Sequence, residues 1–204
     1  METSKSPLVS HFSELRNKPK WVLKLILTIV VMTLSAVIGS LAIDYNELYK
    51  DAGMTGTELE QAKMFGQIGG AIAGVFGAIV SIGITFVIFL LISKIMKSDA
   101  NGKSIFSATL SYILITGIIA LIVILIQWIA GLSPTDYSIT SLNIFDKGNN
   151  ILAAFNLQTF IGAYVFGIML FATNRFSKKS AIIWTIVYLV VYISFALLGA
   201  SFQS

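Results

Sequence analysis

The chain has 204 residues, of which 56% are hydrophobic and only 12% are charged, and its mean hydropathy is +0.85. A soluble globular domain carries about 25% charged residues, so this composition excludes a water-facing domain and predicts a polytopic membrane protein. The chain contains no cysteine and a single histidine, which excludes disulfide frameworks, thiolate metal sites and histidine-pair metal motifs.

The N-terminal segment, residues 1–20, predicts a short amphipathic helix at the cytoplasmic face of the membrane. Ser6 and Pro7 are typical of a helix start, because serine caps the first turn and proline suits its first position. Apolar residues that include Phe12 and Leu15 then share one face. We expect His11, which lies on this helix, to be solvated, because no partner is near it in the sequence.

Five windows without charged side chains are each long enough to cross a hydrocarbon core of about 30 Å. They predict an all-α integral membrane domain over residues 21–204, a bundle of five transmembrane helices. The predicted spans are 21–43, 66–93, 106–130, 155–173 and 181–199.

Two of these windows admit another interpretation. The fourth is the shortest, and Asn156, Gln158 and Thr159 make its first turn polar, so a partly re-entrant segment is the alternative to a full span. The first window could be a cleaved signal peptide. Its apolar stretch is longer than the roughly 7–15 residues typical of such peptides, which favours a membrane span.

Basic residues determine the predicted orientation. With the N-terminus in the cytoplasm, eleven lysines and arginines fall inside and three fall outside, as the positive-inside rule requires. The C-terminus is then outside, and we expect the protein in the cell membrane, in contact with the lipid bilayer. This topology accounts for the net charge of +4, so no nucleic-acid partner is implied. The predicted membrane-interface residues are Trp21 and Trp184 on the inner side and Trp128 on the outer side.

The second span contains two parallel rows of small residues with a four-residue spacing. The first row is Gly66, Gly70, Gly74 and Ala78, and the second row is Gly69, Ala73, Gly77 and Ser81. Small residues let another helix backbone approach closely, which increases van der Waals contact in lipid. We therefore predict that both rows lie on one face in a tight helix contact, with a partner that is either another helix of this chain or a different protein.

The same helix is predicted to begin outside the membrane at Glu58, because Thr57 and Glu60 have the spacing of a capping box. It would run unbroken to about Lys94, with its first turns projecting into water. The preceding loop, from Asp44 to Asp51, is acidic but lacks the regular spacing of a calcium loop. We interpret it as a solvated loop and expect neither a metal site nor a cofactor.

The five predicted spans carry no aspartate, glutamate, lysine, arginine or histidine in their interior, since Lys24 lies at the start of the first span. Proton relays and ion-coupled carriers depend on such residues within the membrane, and intramembrane hydrolysis needs a nucleophile and a base. The sequence therefore argues against an enzyme and against an ion-driven pump.

The order of features resembles the Yip family of small membrane proteins that interact with Ypt/Rab GTPases. Four segments carry the resemblance: Leu15–Trp21, Phe106–Tyr112, Phe166–Gly167 and Lys178–Ala181. Five spans, a cytoplasmic N-terminus and a short outward C-terminus are similar to that family as well. The resemblance implies a protein without catalytic residues. It also implies bacterial relatives that include an accessory subunit of a MacB-type ABC exporter, which helps to remove toxic peptides.

Two functional hypotheses result. The first is a non-enzymatic accessory or assembly protein, with ABC transporter subunits as partners in a MacB-type export complex for toxic peptides. The second is a small transport or lipid-perturbing membrane protein that acts as a homo-oligomer.

Overall fold

The structure, a computed structural model, describes residues 8–50 and 53–202 and is built from α-helices. In chain order these are α1 (Val9–Asn17), α2 (Val22–Ala42), α3 (Tyr45–Lys50), α4 (Gly56–Ile95), α5 (Gly102–Ile129), α6 (Asn150–Ala153), α7 (Leu157–Ala172) and α8 (Lys178–Ser201). A 3-10 turn over Leu142–Phe145 lies between α5 and α6.

Each of the longer helices covers most of one window that lacks charge and extends beyond it at one or both ends. Among the described helices, α2, α4, α5 and α8 are long and apolar enough to cross a membrane. The remaining predicted span corresponds to α7, which has 16 residues and is therefore about 24 Å long. That is shorter than a hydrocarbon core of about 30 Å.

The short helix α7 buries one face in the bundle, whereas Phe160 and Tyr164 on its other face are exposed. On the buried face α7 contacts α1, α5 and α8, and Val165, Phe166, Met169 and Leu170 are each 2% exposed or less. The first half of α5 packs in the same hydrophobic core. Because its neighbours cover this face of α7, the helix depends less on direct lipid contact than the four longer ones.

Hydrogen bonds at the two ends of α7 show that it runs the length of the bundle. At its start, Gln158 Nε2 donates to Thr140 Oγ1 at 2.8 Å, in the segment that follows α5. At its end, Thr173 Oγ1 donates to the Phe12 carbonyl of α1 at 3.0 Å. We name these two ends of the bundle the loop end and the α1 end.

Helix α1 packs against α5 and α7. Phe12 is fully buried and Leu15 is 4% exposed, so protein covers the apolar face that the sequence predicts. The predicted segment is thus helical over Val9–Asn17, and its location at a membrane surface stays a prediction. The predicted helix start at Ser6 and Pro7 lies outside the described residues.

Polar bonds hold α1 in place at the α1 end. Arg16 donates from Nη1 to the Thr173 carbonyl at 2.7 Å, and its Nη2 lies 2.6 Å from Asp99 Oδ1. Ser104 Oγ donates to the Arg16 carbonyl at 2.6 Å. The hydrogen bond from Arg16 lowers the pKa of Asp99, since it stabilises the ionised carboxylate. One arginine therefore connects α1, the end of α7 and the loop before α5.

The expectation that His11 is solvated is wrong. Its ring is half-buried, and Nε2 lies 2.9 Å from the Ser111 hydroxyl of α5. Burial lowers the pKa of His11, Lys24 lowers it further, and Glu14 partly offsets both effects. Ser111 is 100 residues away along the chain, so nothing near His11 in the sequence indicates this partner.

Helix α4 begins two residues earlier than predicted. Its N-cap residue is Thr55, whose side chain makes no capping hydrogen bond, so the capping box predicted for Thr57 and Glu60 is wrong. Glu60 instead accepts a hydrogen bond from Lys63 at 2.8 Å. The helix has 40 residues and is about 60 Å long, roughly 18 Å longer than α5.

Acidification should loosen the packing of α1. The folded state lowers the pKa of His11, so the unfolded state binds the proton more readily, and stability falls as the pH decreases through 6.5 towards the folded-state pKa. We expect a lower midpoint of thermal unfolding in detergent at pH 5.5 than at pH 7.5. The chain has one histidine, so His11→Gln should remove most of this difference. An equal difference in that variant would contradict the assignment.

Candidate functional site

The first row of small residues on α4 faces other helices of the same chain. A Cβ atom built at Gly74 would collide with the Ala36 Cβ of α2, and one built at Gly70 would lie 3.3 Å from the Ser40 Cβ. Gly66 is covered by the rings of Tyr45 and Tyr49, which belong to α3. Ala78, the last member of the row, is 4% exposed. The helices α2 and α3 therefore cover this row.

Gly69, Ala73 and Gly77, the first three members of the second row, are exposed, whereas Ser81 lines a cavity together with Met32 of α2 and Tyr112 of α5. A Cβ atom built at Gly69 or Gly77 would meet no atom within 4 Å. The two rows thus lie at different positions around the circumference of α4, and only the first row packs against other described helices. The sequence predicted a single contact face, and it could not indicate which row α2 would cover.

Large apolar side chains border the second row. Phe65, Ile72 and Phe76 are 69%, 54% and 67% exposed, respectively. In water such a surface would be strongly unfavourable, whereas in lipid it is an ordinary membrane-facing surface. The small residues form a shallow strip between these side chains, into which a second helix backbone can fit.

The excess length of α4 lies at the loop end. The α1 end of α4 is fixed, because Ser98, just after the helix, donates through Oγ to the Asn174 carbonyl at 3.0 Å. The first turns of α4, which carry exposed Glu58 and Glu60, therefore extend past the neighbouring helices.

The acidic segment before α4 is not the solvated loop that the sequence predicts, because Tyr45–Lys50 form the helix α3 and Tyr45 is buried. A basic side chain partly neutralises its charge. Lys147 Nζ lies 3.1 Å from Glu47 Oε1 and 3.1 Å from Asp136 Oδ2, and these hydrogen bonds raise the pKa of Lys147. Among the described residues, no group of three or more histidine, cysteine, aspartate or glutamate side chains is placed to hold a metal ion. Asp51, the last acidic residue of this segment, lies outside the described residues.

The three tryptophans occupy different environments. Trp21 is the N-cap residue of α2 at the α1 end and is 37% exposed, and Trp128 lies in the last turn of α5 and is 45% exposed. Trp184, in contrast, is partly buried and packs against the core. Their role at a membrane interface stays a prediction for all three.

Trp184 lines an apolar groove that the sequence analysis did not identify. The groove lies between α4 and α8, has a volume of about 730 Å³, and contains Phe89, Tyr112, Phe166 and Tyr188 among its lining residues. The Tyr112 and Tyr188 hydroxyls are 3.0 Å apart. A signal was present in the sequence, because Trp184, Tyr188 and Tyr192 recur every four residues and so share one face of α8.

Leucine substitutions should distinguish the two small-residue rows. Gly74→Leu must displace the backbone or side chain of Ala36, and overpacking of this kind costs about 1–3 kcal/mol. Gly77→Leu meets open space, and because leucine favours a helix over glycine it should leave the free energy of unfolding unchanged or raise it by up to about 1 kcal/mol. Thermal unfolding of both variants in one detergent measures the difference, and equal stability losses would contradict the packing described for α4.

Comparison with known proteins relates the chain to a bacterial membrane protein and to a domain family. The chain is similar to the membrane protein YknW of Bacillus subtilis (strain 168), with 25% identity over 209 residues that cover 98% of this chain and 88% of the relative. No solved structure matches the chain significantly. The family model for the Yip1 domain matches residues 2–200, which confirms the resemblance drawn from the sequence. The chain therefore belongs to the Yip1-domain family.

Proposed function

We propose that the chain crosses the cell membrane five times, with its N-terminus in the cytoplasm and its C-terminus outside. The hydrogen bonds of α7 at both ends of the bundle support a full fifth crossing. Basic side chains support the orientation, because they gather at the α1 end. These are Arg16, Lys97, Lys103, Arg175, Lys178 and Lys179, on α1 and beside the ends of α4, α5, α7 and α8.

Single cysteines test this topology, because the natural chain has none and gives no background labelling. Phe145→Cys places a thiol at the loop end, and Lys103→Cys and Lys179→Cys place thiols at the α1 end, all at exposed positions. A membrane-impermeant maleimide should label the first variant in intact cells and the other two only after lysis. Equal labelling of positions 145 and 179 would mean that α7 does not cross the membrane.

We further propose that the protein is non-enzymatic and assembles with other membrane proteins through the second row of α4. The observation that carries this proposal is the division of the two rows. Helices α2 and α3 cover the first row, whereas Gly69, Ala73 and Gly77 of the second row remain open on a helix that is longer than its neighbours. Transmembrane helices associate through small residues of this kind, because close backbone contact replaces contact with lipid chains.

The partner that we propose is a MacB-type ABC export complex for toxic peptides, in which this chain is an accessory subunit. The support is the family membership together with a surface suited to a transmembrane helix. The extended start of α4, with Glu58 and Glu60, would reach beyond the membrane and contact an extracytoplasmic part of such a complex.

Crosslinking from the open row tests the partner. Gly77→Cys should form adducts with another membrane protein when intact membranes are treated with a thiol-reactive crosslinker, and mass spectrometry of the purified adduct identifies that protein. Val190→Cys is the matched control, because Val190 is 58% exposed on α8, away from the row. The expected result is an ABC transporter permease or adaptor that is recovered in larger amount from the Gly77→Cys adducts than from the Val190→Cys adducts. Equal recovery at both positions would contradict a specific contact.

The open row also fits a second copy of this chain, which is the basis of the alternative function. A transport or lipid-perturbing homo-oligomer would give disulfide-linked dimers of Gly77→Cys and solute or lipid movement in proteoliposomes. An accessory subunit alone should move neither, so the liposome assay separates the two functions.

A further inference from the structure

The groove between α4 and α8 is a space that the described helices leave unfilled. The backbone of α4 lies close to those of α2, α3 and α5, and the backbone of α8 lies close to those of α6 and α7, but within the described ranges the backbones of α4 and α8 do not come close to each other. Phe89, Tyr112 and Phe166 lie among the residues that line the groove, and its 730 Å³ falls within the range of about 300–1,000 Å³ typical of ligand sites.

The dimensions of the groove suit one acyl chain. Its lining on α8 extends from Trp184 to Ala196, which is about 18 Å along the helix. This length is close to one leaflet, half of a hydrocarbon core of about 30 Å. A chain from one leaflet can therefore lie along the groove without entering the other leaflet.

The chemistry of the lining favours a flexible chain over a partner helix. Helices that pack in membranes meet at small residues, as on the second row of α4. The groove is instead lined by bulky side chains such as Phe89, Trp184, Tyr188 and Phe195, which keep another backbone at a distance. A methylene chain can follow the irregular surface between the rings.

At the α1 end the groove meets a second, polar cavity of about 250 Å³. Met96 and Ser180 line this cavity, and each is about one helical turn from a groove residue, Ile92 and Trp184 respectively. The two cavities thus follow one another in the same gap between α4 and α8.

The polar cavity is positively charged. Lys97 and Arg175 line it, both are exposed, and neither forms an ion pair within the described parts of the chain. Asp99 also lines it. Arg16 binds that carboxylate at 2.6 Å, and Arg175 interacts with it electrostatically as well, so the cationic side chains around the cavity outnumber this carboxylate. The cavity therefore complements a negatively charged group, and a basic side chain near a membrane surface attracts anionic lipid by about 1 kcal/mol.

We propose that the gap between α4 and α8 binds one anionic phospholipid. Its phosphate lies between Lys97 and Arg175, and one of its acyl chains lies along the aromatic groove. The site exists whether or not the protein joins an export complex. Under the proposed topology the lipid belongs to the cytoplasmic leaflet.

Fluorescence quenching tests this proposal directly, because one of the three tryptophans lies in the groove. The double variant Trp21→Phe and Trp128→Phe retains only Trp184. It is reconstituted into vesicles of phosphatidylcholine and phosphatidylglycerol at a fixed ratio, with brominated acyl chains on one lipid or the other. We expect stronger quenching by the brominated phosphatidylglycerol, with a relative affinity on the order of tenfold for the anionic lipid.

Charge variants identify the headgroup contact. In the variant that retains only Trp184, Lys97→Gln with Arg175→Gln should bring the affinity for phosphatidylglycerol relative to phosphatidylcholine close to one. Lys20→Gln with Lys103→Gln removes two exposed charges near the same end, outside the polar cavity, and should leave the preference intact. Thermal unfolding of both variants confirms that they fold alike.

Three results would overturn the proposal. The first is equal quenching by the two brominated lipids in the tryptophan variant. The second is an equal loss of preference in the two charge variants, which would indicate general surface attraction. The third is protection of Trp184 from both brominated lipids, which would mean that protein, such as a second copy of the chain, fills the groove.

Discussion

The arrangement of this bundle depends on Arg16 and the backbone carbonyl of Thr173. The last carbonyls of a helix have no partner within the helix, and in a membrane protein water is scarce near them. Arg16 satisfies one of these carbonyls at the end of α7 while its other nitrogen binds Asp99. The most buried helix is therefore anchored by a side chain from α1, and α1 is anchored in return.

Hydroxyl groups extend this polar layer into the bundle without leaving unpaired atoms. Ser104 donates to α1, and Asn174 Nδ2 donates to Ser93 Oγ of α4 at 2.7 Å. Throughout the described ranges, every buried side-chain nitrogen or oxygen has a hydrogen-bond partner. Since an unpaired polar group in an apolar interior costs free energy, this complete pairing lets serines and threonines occupy the core of so apolar a chain.

The helices themselves could be predicted from the sequence, because uncharged apolar windows of sufficient length leave little alternative to a helix in lipid. The predicted span 21–43 and the helix α2, for example, differ by one residue at each end. The contacts could not be predicted so well. His11 and Ser111 are 100 residues apart, and no local pattern connects them.

The candidate site was predictable only in part, for a similar reason. The small residues of α4 are visible in the sequence, but their division into a covered and an open row depends on the angle at which α2 crosses α4. The groove between α4 and α8 is harder to predict, because it exists only where the backbones of these two helices stay apart. Spacing along one helix indicates which residues share a face, and it does not indicate what lies opposite.

The position of α1 has a consequence for how the protein forms during synthesis. Its bonding partners in α5 and beyond α7 lie 88 to 161 residues further along the chain. While the ribosome is still producing those helices, the apolar face around Phe12 has no native surface to cover it. Contacts between distant segments also form slowly, because a long loop must close first. Helix α1 is made before its partners but is thus among the last helices to reach its final place, and its docking marks the completion of the fold.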